Sequence, residues 1–390
     1  MADHIHLVVA LEGAGSHPGA WRAPDAQPQA LTRADYWQGL IATAETGLLD
    51  FVTIPDSFAL HRGHPRTDRA VGRLDAVLLA SRLAPTTARI GLIPTATVTH
   101  TEPFHVSKAI ATLDHISGGR AGVALRTTAD PGEAGLFGRR SFPDDPSVLA
   151  VLASEATDFA TVLARLWDSW EDDAEIRDVA TGRFVDRDRL HYIDFVGEHF
   201  AVRGPSITPR PPQGRPIIAA TGAHATDLQL IGASADVGFI TPGDVDDAAR
   251  AVGAIAAART AAGRAGDAPV RVLVDLPVVL GSSKDDAAQR LEQLDAWAGE
   301  GSTAAAGLVV GTAQGLADEI ERWTSVDGVD GIRLRPAALP HDLQVIVADL
   351  VPELQRRGLF RTDQADASLR ERLGLARPHN HFTTRKTGVA

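Results

Sequence analysis

The sequence predicts an α/β protein in which eight short strands alternate with helices, the pattern of a (β/α)8 or TIM barrel. Three observations predict it. Eight apolar runs of strand length recur along the 390 residues. Amphipathic helical patterns separate them. Polar turn residues follow the strands, at the end where parallel α/β folds hold ligands.

The stretch from Arg89 to Thr128 shows the unit most clearly. Ile90 to Ile93 is an apolar strand, and Thr95 to Glu102 is a polar turn. Val106, Ala109, Ile110 and Leu113 then fall on one face of a helix. Thr101 is expected to cap that helix, with Glu102 and Pro103 in its first turn. Gly118 and Gly119 stop it, and Ala121 to Arg126 is the next strand.

The other elements follow in order. Ile5 to Leu11 is the first strand, followed by a Gly- and Pro-rich loop over Glu12 to Ala30. A helix from Arg33 to Thr46 leads to the strand Phe51 to Ile54, and Leu74 to Leu83 is helical. After the fourth strand, Ala129 to Pro146 is a loop and Val148 to Trp170 a long helix. Glu171 to Arg189 is a charged insertion, and Leu190 to Val202 is a hairpin turning at Gly197 and Glu198. Ile217 to Ala220, Val237 to Ile240, Arg271 to Leu280 and Gly331 to Leu334 complete the strands. Helices are expected at Ala225 to Ile231, Asp244 to Arg264, Ala287 to Ala298, Thr312 to Trp323 and Asp342 to Arg356. Residues 1–360 thus read as one barrel, with a loop or lid at 129–147 and an insertion with hairpin at 171–215. Residues 361–390 form a C-terminal extension that packs on the barrel or on a neighbouring chain.

Composition narrows the function. An apolar fraction of 44% supports a large core. The net charge of −12 argues against nucleic acid and anionic membranes as partners. With no cysteine, disulfides, thiolate metal sites and cysteine nucleophiles are excluded. The apolar runs are of strand length, so no membrane span is expected. The first residues lack a basic segment ahead of an apolar one, so a cytoplasmic location is expected. There is no phosphate-loop, nucleophile-elbow or zinc-protease motif. His61 and His64 lack a carboxylate partner, so no metal site is expected.

TEPFHVSKAIATLDHISGGRAG (Thr101 to Gly122) resembles a signature of the bacterial luciferase-like flavin-dependent monooxygenase superfamily. The similar branch is that of the nitrilotriacetate and dibenzothiophene-sulfone monooxygenases. SHPGAWRAP (Ser16 to Pro24), DFVTIPDSF (Asp50 to Phe58) and GEHFAVRGPSITPRPPQGRPIIAATGA (Gly197 to Ala223) are similar to the same branch. So are GTAQGLADEIERW from Gly311, the segment Asp330 to Arg361, and LRERLGLARP from Leu369.

The resemblance implies a two-component monooxygenase. It would use O2 and reduced FMN supplied by a separate NAD(P)H:flavin reductase to oxygenate a small organic substrate, as a homodimer or homotetramer. A deazaflavin-dependent oxidoreductase and a non-catalytic flavin- or ligand-binding barrel are the alternatives. Asp56, Thr95, Thr97, Thr127 and Thr128 then become candidates for the flavin ring, with a turn or helix cap as the other reading of Asp56. Gly222, Ala223 and His224 run from a strand into a helix, where N–H groups and the helix dipole suit a phosphate. His100 is the first candidate for proton transfer, and His17, beside Trp21 and Arg22, the second. Arg22, Arg126, Arg139 and Arg140 would suit an acidic substrate. The chain departs from its relatives in three places. Val123 and Ala124 stand where they have Trp-Asn, the usual Ser near His224 is missing, and no Arg-Tyr pair opens the long helix.

Overall fold

The computed structural model describes residues 4–60, 67–299 and 306–383. Its centre is a closed barrel of eight parallel strands. These are β1 (His6–Ala10), β2 (Phe51–Ile54), β3 (Gly91–Thr97), β4 (Gly122–Arg126), β5 (Ile217–Gly222), β6 (Val237–Ile240), β7 (Arg271–Leu280) and β8 (Gly331–Pro336). Each pairs with the next, and β8 pairs with β1, with His6 opposite Gly331, so the eight-stranded barrel closes on itself. A ninth short strand, Val309–Gly311, extends the outer end of β7.

The helices follow the expected alternation. They are α1 (Ala34–Thr46), α2 (Ala76–Leu83), α3 (Pro103–Ser117), α4 (Pro131–Phe137), α5 (Ser147–Asp168), α6 (Ala225–Ser234), α7 (Val245–Ala261), α8 (Lys284–Ala298) and α9 (Ala313–Thr324). The last barrel helix begins at His341–Val345, widens to a π turn over Ile346–Leu350 and resumes at Val351–Arg356. Pro352 follows that turn and has no N–H to give a carbonyl one turn back. Gly118 ends α3 in the left-handed region, at φ 66°.

Three local expectations change. Thr101 does not cap α3; its hydroxyl donates back to the Thr97 carbonyl at 3.0 Å. The expected loop at 129–147 contains α4, started by Asp130 accepting from the Glu133 N–H and by Pro131 in the first turn. The charged insertion forms a small hairpin, Glu175–Asp178 against Arg183–Val185, ahead of the expected one, Phe195–Val196 against Ala201–Val202. In addition, α5 is long and apolar enough to cross a membrane, although apolar runs of strand length were expected. It packs against α3 and α6 along one face, as a core helix does.

Strand register sorts the side chains. Val8, Phe51, Ile93, Ala124, Ala219, Phe239 and Leu273 fill the barrel interior. Between the barrel and its helices lies a larger apolar layer that includes Leu7, Val9, Leu92, Ile110 and Leu163. At the amino-terminal ends of the strands the C-terminal segment closes the barrel. Leu369, Leu373 and Leu375 pack with Phe51, Ile93 and Leu273, and Arg370 forks onto Asp236 at 3.1 and 2.9 Å.

A buried carboxylate ties this closure to the first two strands. Asp50 is fully buried. It accepts from the Leu7 N–H at 2.9 Å and from the Arg361 guanidinium at 2.7 and 2.8 Å. Burial alone would raise its pKa; His6 and Arg361 outweigh that and bring it down to about 2. The folded value lies below the unfolded one, so this stabilisation is present above about pH 4 and is lost as pH falls through the folded value. Asp50→Asn should therefore cost about 3–5 kcal/mol at neutral pH in urea unfolding, since it leaves Arg361 buried and unpaired. The gap between variant and wild type should shrink between pH 4 and pH 2.

Candidate active site at the barrel mouth

The carboxyl ends of the eight strands form one rim. Parallel pairing puts residues of one phase inside: Ala10 beside Thr53 and Thr95 beside Ala124. Thr97 stands beside Arg126, Thr221 beside Phe239 and Asp275 beside Arg333. The mouth is thus lined by hydroxyls and guanidiniums above an apolar interior. Thr221 is exposed although it shares the inward phase of buried Phe239, so the mouth is open to solvent at β5.

The floor of the mouth carries a buried ion pair. Arg333 forks onto Asp275 at 2.7 and 2.8 Å, and its guanidinium lies 3.8 Å from the centre of the Phe239 ring. Sequence reasoning missed this pair. Its signal was charge at inward positions of two largely apolar strands, Asp275 in β7 and Arg333 and Arg335 in β8.

A second pair joins β4 to the segment above it. Glu133 of α4 is buried and receives Arg126 at 2.8 and 2.6 Å. Arg126 also donates to the Thr97 hydroxyl at 3.1 Å, and the Phe58 N–H donates to Glu133 at 3.2 Å. Burial alone would raise the Glu133 pKa; the Arg126 fork outweighs it and holds the carboxyl below its ordinary value. Arg140 fastens the far end of the segment, donating to the Thr99 carbonyl at 3.0 Å and forking onto Glu155 of α5 at 2.8 and 2.9 Å. Residues 131–140 are therefore a lid bolted at both ends.

His100 lies under this lid. Its ring stacks on Phe137 at 4.8 Å, with Phe58 and Phe142 at 6.4 and 6.2 Å. Its Nε2 is buried and has no hydrogen-bond partner. Burial pushes the imidazole below its ordinary pKa, the Glu133 charge opposing, so the ring is neutral at neutral pH. His17 differs. Its Nδ1 accepts from the Gly19 N–H at 3.1 Å, and its Nε2 faces Asp295 at 3.2 Å. Both nitrogens are engaged, which leaves neither for a substrate. His17 lines a cavity of about 540 Å3 at the carboxyl ends of β1 and β2, walled by Leu11, Pro55, Trp21 and Trp37, with Arg69 and Arg73 also on its lining.

The remaining candidates divide. Thr97, Thr128 and Thr99 meet around Arg126 and Glu133; the Thr128 N–H donates to the Thr99 hydroxyl at 3.1 Å. Thr95 and Thr127 are half-buried beside them. Asp56 takes the capping role: its oxygens accept from the Ser57 N–H at 2.7 Å and the Ala76 N–H at 3.0 Å, at the start of α2. Burial raises its pKa. At β5, the Ala223 and His224 N–H groups donate to the Asp227 carboxylate at 3.1 and 3.0 Å. Gly222 is set by packing, since a Cβ there would lie 2.9 Å from both Ile231 and Leu228. Of the arginines considered for an acidic substrate, Arg126 and Arg140 are paired as described, while Arg22 and Arg139 are exposed. His61 and His64 lie outside the described residues, and among the described residues no cluster could hold a metal.

A cavity of about 630 Å3 lies at the opposite end, between α5, α6 and the C-terminal segment. Arg215, Arg370 and Arg377 on its lining are each paired, with Asp168, Asp236 and Asp172.

An eight-stranded barrel whose open, polar mouth lies at the carboxyl ends of its strands has the arrangement in which α/β-barrel enzymes place their active sites. The chain belongs to the luciferase-like monooxygenase family, whose profile matches residues 14–333. It is 31% identical to nitrilotriacetate monooxygenase component A of Aminobacter aminovorans, covering 96% of this chain and 97% of that one. It is also 31% identical to N-acetyl-S-(2-succino)cysteine monooxygenase of Bacillus subtilis (strain 168), covering 97% and 98%. The fold matches a crystal structure of a riboflavin lyase with modified FMN and riboflavin at a TM-score of 0.83, with 24% identity over 95% of this chain and 96% of that one.

Glu133→Ala should unbolt the lid. Hydrogen exchange of residues 131–140 should quicken at least about tenfold, while β4 and α5 stay protected. Unchanged exchange over 131–140 would mean that Arg140 and the Phe137 stack hold the lid without the Glu133 pair.

Proposed function

We propose that this chain is the oxygenating component of a two-component flavin-dependent monooxygenase. It would take reduced FMN from a separate NAD(P)H:flavin reductase and use O2 on a small organic substrate. The observation that carries the reading is the His100 Nε2, buried, neutral and unpartnered under a bolted lid at an open barrel mouth. Family membership and the relatives' monooxygenase activities support it.

The mouth fits a flat ring edged with nitrogen and oxygen. Thr53, Thr95 and Thr221 stand at inward positions of their strands, above the apolar interior. Thr97 stays oriented by Arg126. Reduced flavin, when bound, supplies the electrons and the oxygen-activating ring. The protein's part is positioning, dryness and one proton. His100 in its neutral form can give or take that proton at Nε2, and the lid that stacks on it keeps solvent from the same atom.

The test is oxygen uptake by the purified chain with NADH, FMN and a generic flavin reductase, across a panel of carboxylate- and sulfur-bearing substrates. Substrate-dependent uptake is expected. His100→Gln should lower turnover by about 100-fold or more, while anaerobic binding of reduced flavin stays within about twofold, because the ring is held by other groups. Failure of the wild-type chain to bind reduced flavin would end this reading.

A further inference from the structure

The mouth of this barrel has filled its own anion sites. A helix N-terminus offers unpaired N–H groups and a positive dipole end, which is why phosphates settle there. Among the described residues, most of the connections leaving the mouth carry an aspartate that accepts an N–H at the helix start or in the turn just ahead of it. Asp56 does so after β2, Asp130 after β4 and Asp227 after β5. Asp247 does so after β6, Asp286 after β7 and Asp342 after β8.

Of these, the β5 connection carries the inference. Thr221 opens the mouth to solvent just before it, so a ligand seated across the hydroxyls reaches the start of α6 next. There Asp227 accepts from both Ala223 and His224, at 3.1 and 3.0 Å. Both residues are exposed, so an arriving group meets this turn directly. A phosphate placed here would meet a carboxylate instead of two free donors. The guanidiniums of the inward face offer no ready replacement. Arg126 is forked onto Glu133, Arg333 is forked onto Asp275, and Arg335, the outermost inward arginine of β8, lies 3.7 Å from both Glu12 and Asp275.

We infer that Asp227 is a selectivity residue that removes the advantage of a terminal phosphate, so that the chain accepts reduced riboflavin at least as well as reduced FMN. The inference rests on the proposed flavin site and specifies which form of the flavin that site takes. Ring and ribityl contacts carry the binding. The phosphate, a dianion close to Asp227, adds none.

The experiment is anaerobic calorimetry of the full chain with reduced riboflavin and with reduced FMN, followed by the same titrations on Asp227→Asn and Asp227→Gly. For the wild type, the dissociation constant for FMN is expected to equal or exceed that for riboflavin. Asp227→Gly frees two donors and removes one negative charge, while Asp227→Asn removes the charge but keeps an amide oxygen that can still accept from both N–H groups. FMN should then bind about tenfold tighter or more in Asp227→Gly and by a smaller factor in Asp227→Asn, with riboflavin unchanged within about twofold in both. Wild-type binding of FMN about tenfold tighter than riboflavin would overturn the inference and leave the flavin reading intact. So would variants that shift both flavins equally. Binding of neither flavin by the wild type would overturn both. The wild-type ratio needs no substitution, so loss of folding in a variant does not remove the test.

Discussion

The whole architecture depends on closing the sheet between its last strand and its first. A Cβ at Gly331 would lie 2.0 Å from the His6 carbonyl oxygen, so the backbone of β8 can meet that of β1 only because this residue has no side chain. The register that follows, His6 to Gly331 and Val8 to Arg333, sets the phase of the entire interior. A slip of one residue would turn Arg333 and Asp275 outward into the apolar layer and bring Leu334 and Leu276 inside. Closure therefore fixes which side chains form the mouth as well as the shape that holds them.

Charge inside the mouth is arranged as closed pairs. Arg333 with Asp275 and Arg126 with Glu133 each form a two-bond fork in partly or fully buried surroundings. Such pairs contribute little net stability, because desolvation offsets the attraction, but losing one partner is costly. Their effect here is geometric. Arg126 fixes the Thr97 hydroxyl and the lid helix together, and Arg333 lies flat on Phe239. Among the described residues at the mouth, the His100 Nε2 is a buried atom without a hydrogen-bond partner.

The barrel was readable because its strands are contiguous apolar runs bounded by turn residues. Phe51–Ile54, Val237–Ile240 and Arg271–Leu280 have the predicted limits, and the other strands differ by a few residues at their ends. Two kinds of feature escaped. Asp130-Pro131-Gly132-Glu133 carries a helix start, with a cap, a proline in the first turn and an acid three residues on, yet its Pro-rich surroundings read as loop. Pairings across long separations, such as Asp275 with Arg333 or Asp50 with Arg361, leave no periodic trace and depend on register. The β5 turn was read by its backbone N–H groups alone. Asp227, at the third helical position after His224, was the residue that decides what those groups bond.

The closure of the barrel floor by Leu369, Leu373 and Leu375 has a consequence for the order of synthesis. All eight strands leave the ribosome before these three leucines do. Until they arrive, the lower faces of Phe51, Ile93 and Leu273 stand open to water. The nascent chain can pair its strands but cannot seal them. Its vulnerable interval ends only when the ribosome has translated a segment that contributes nothing to the mouth itself.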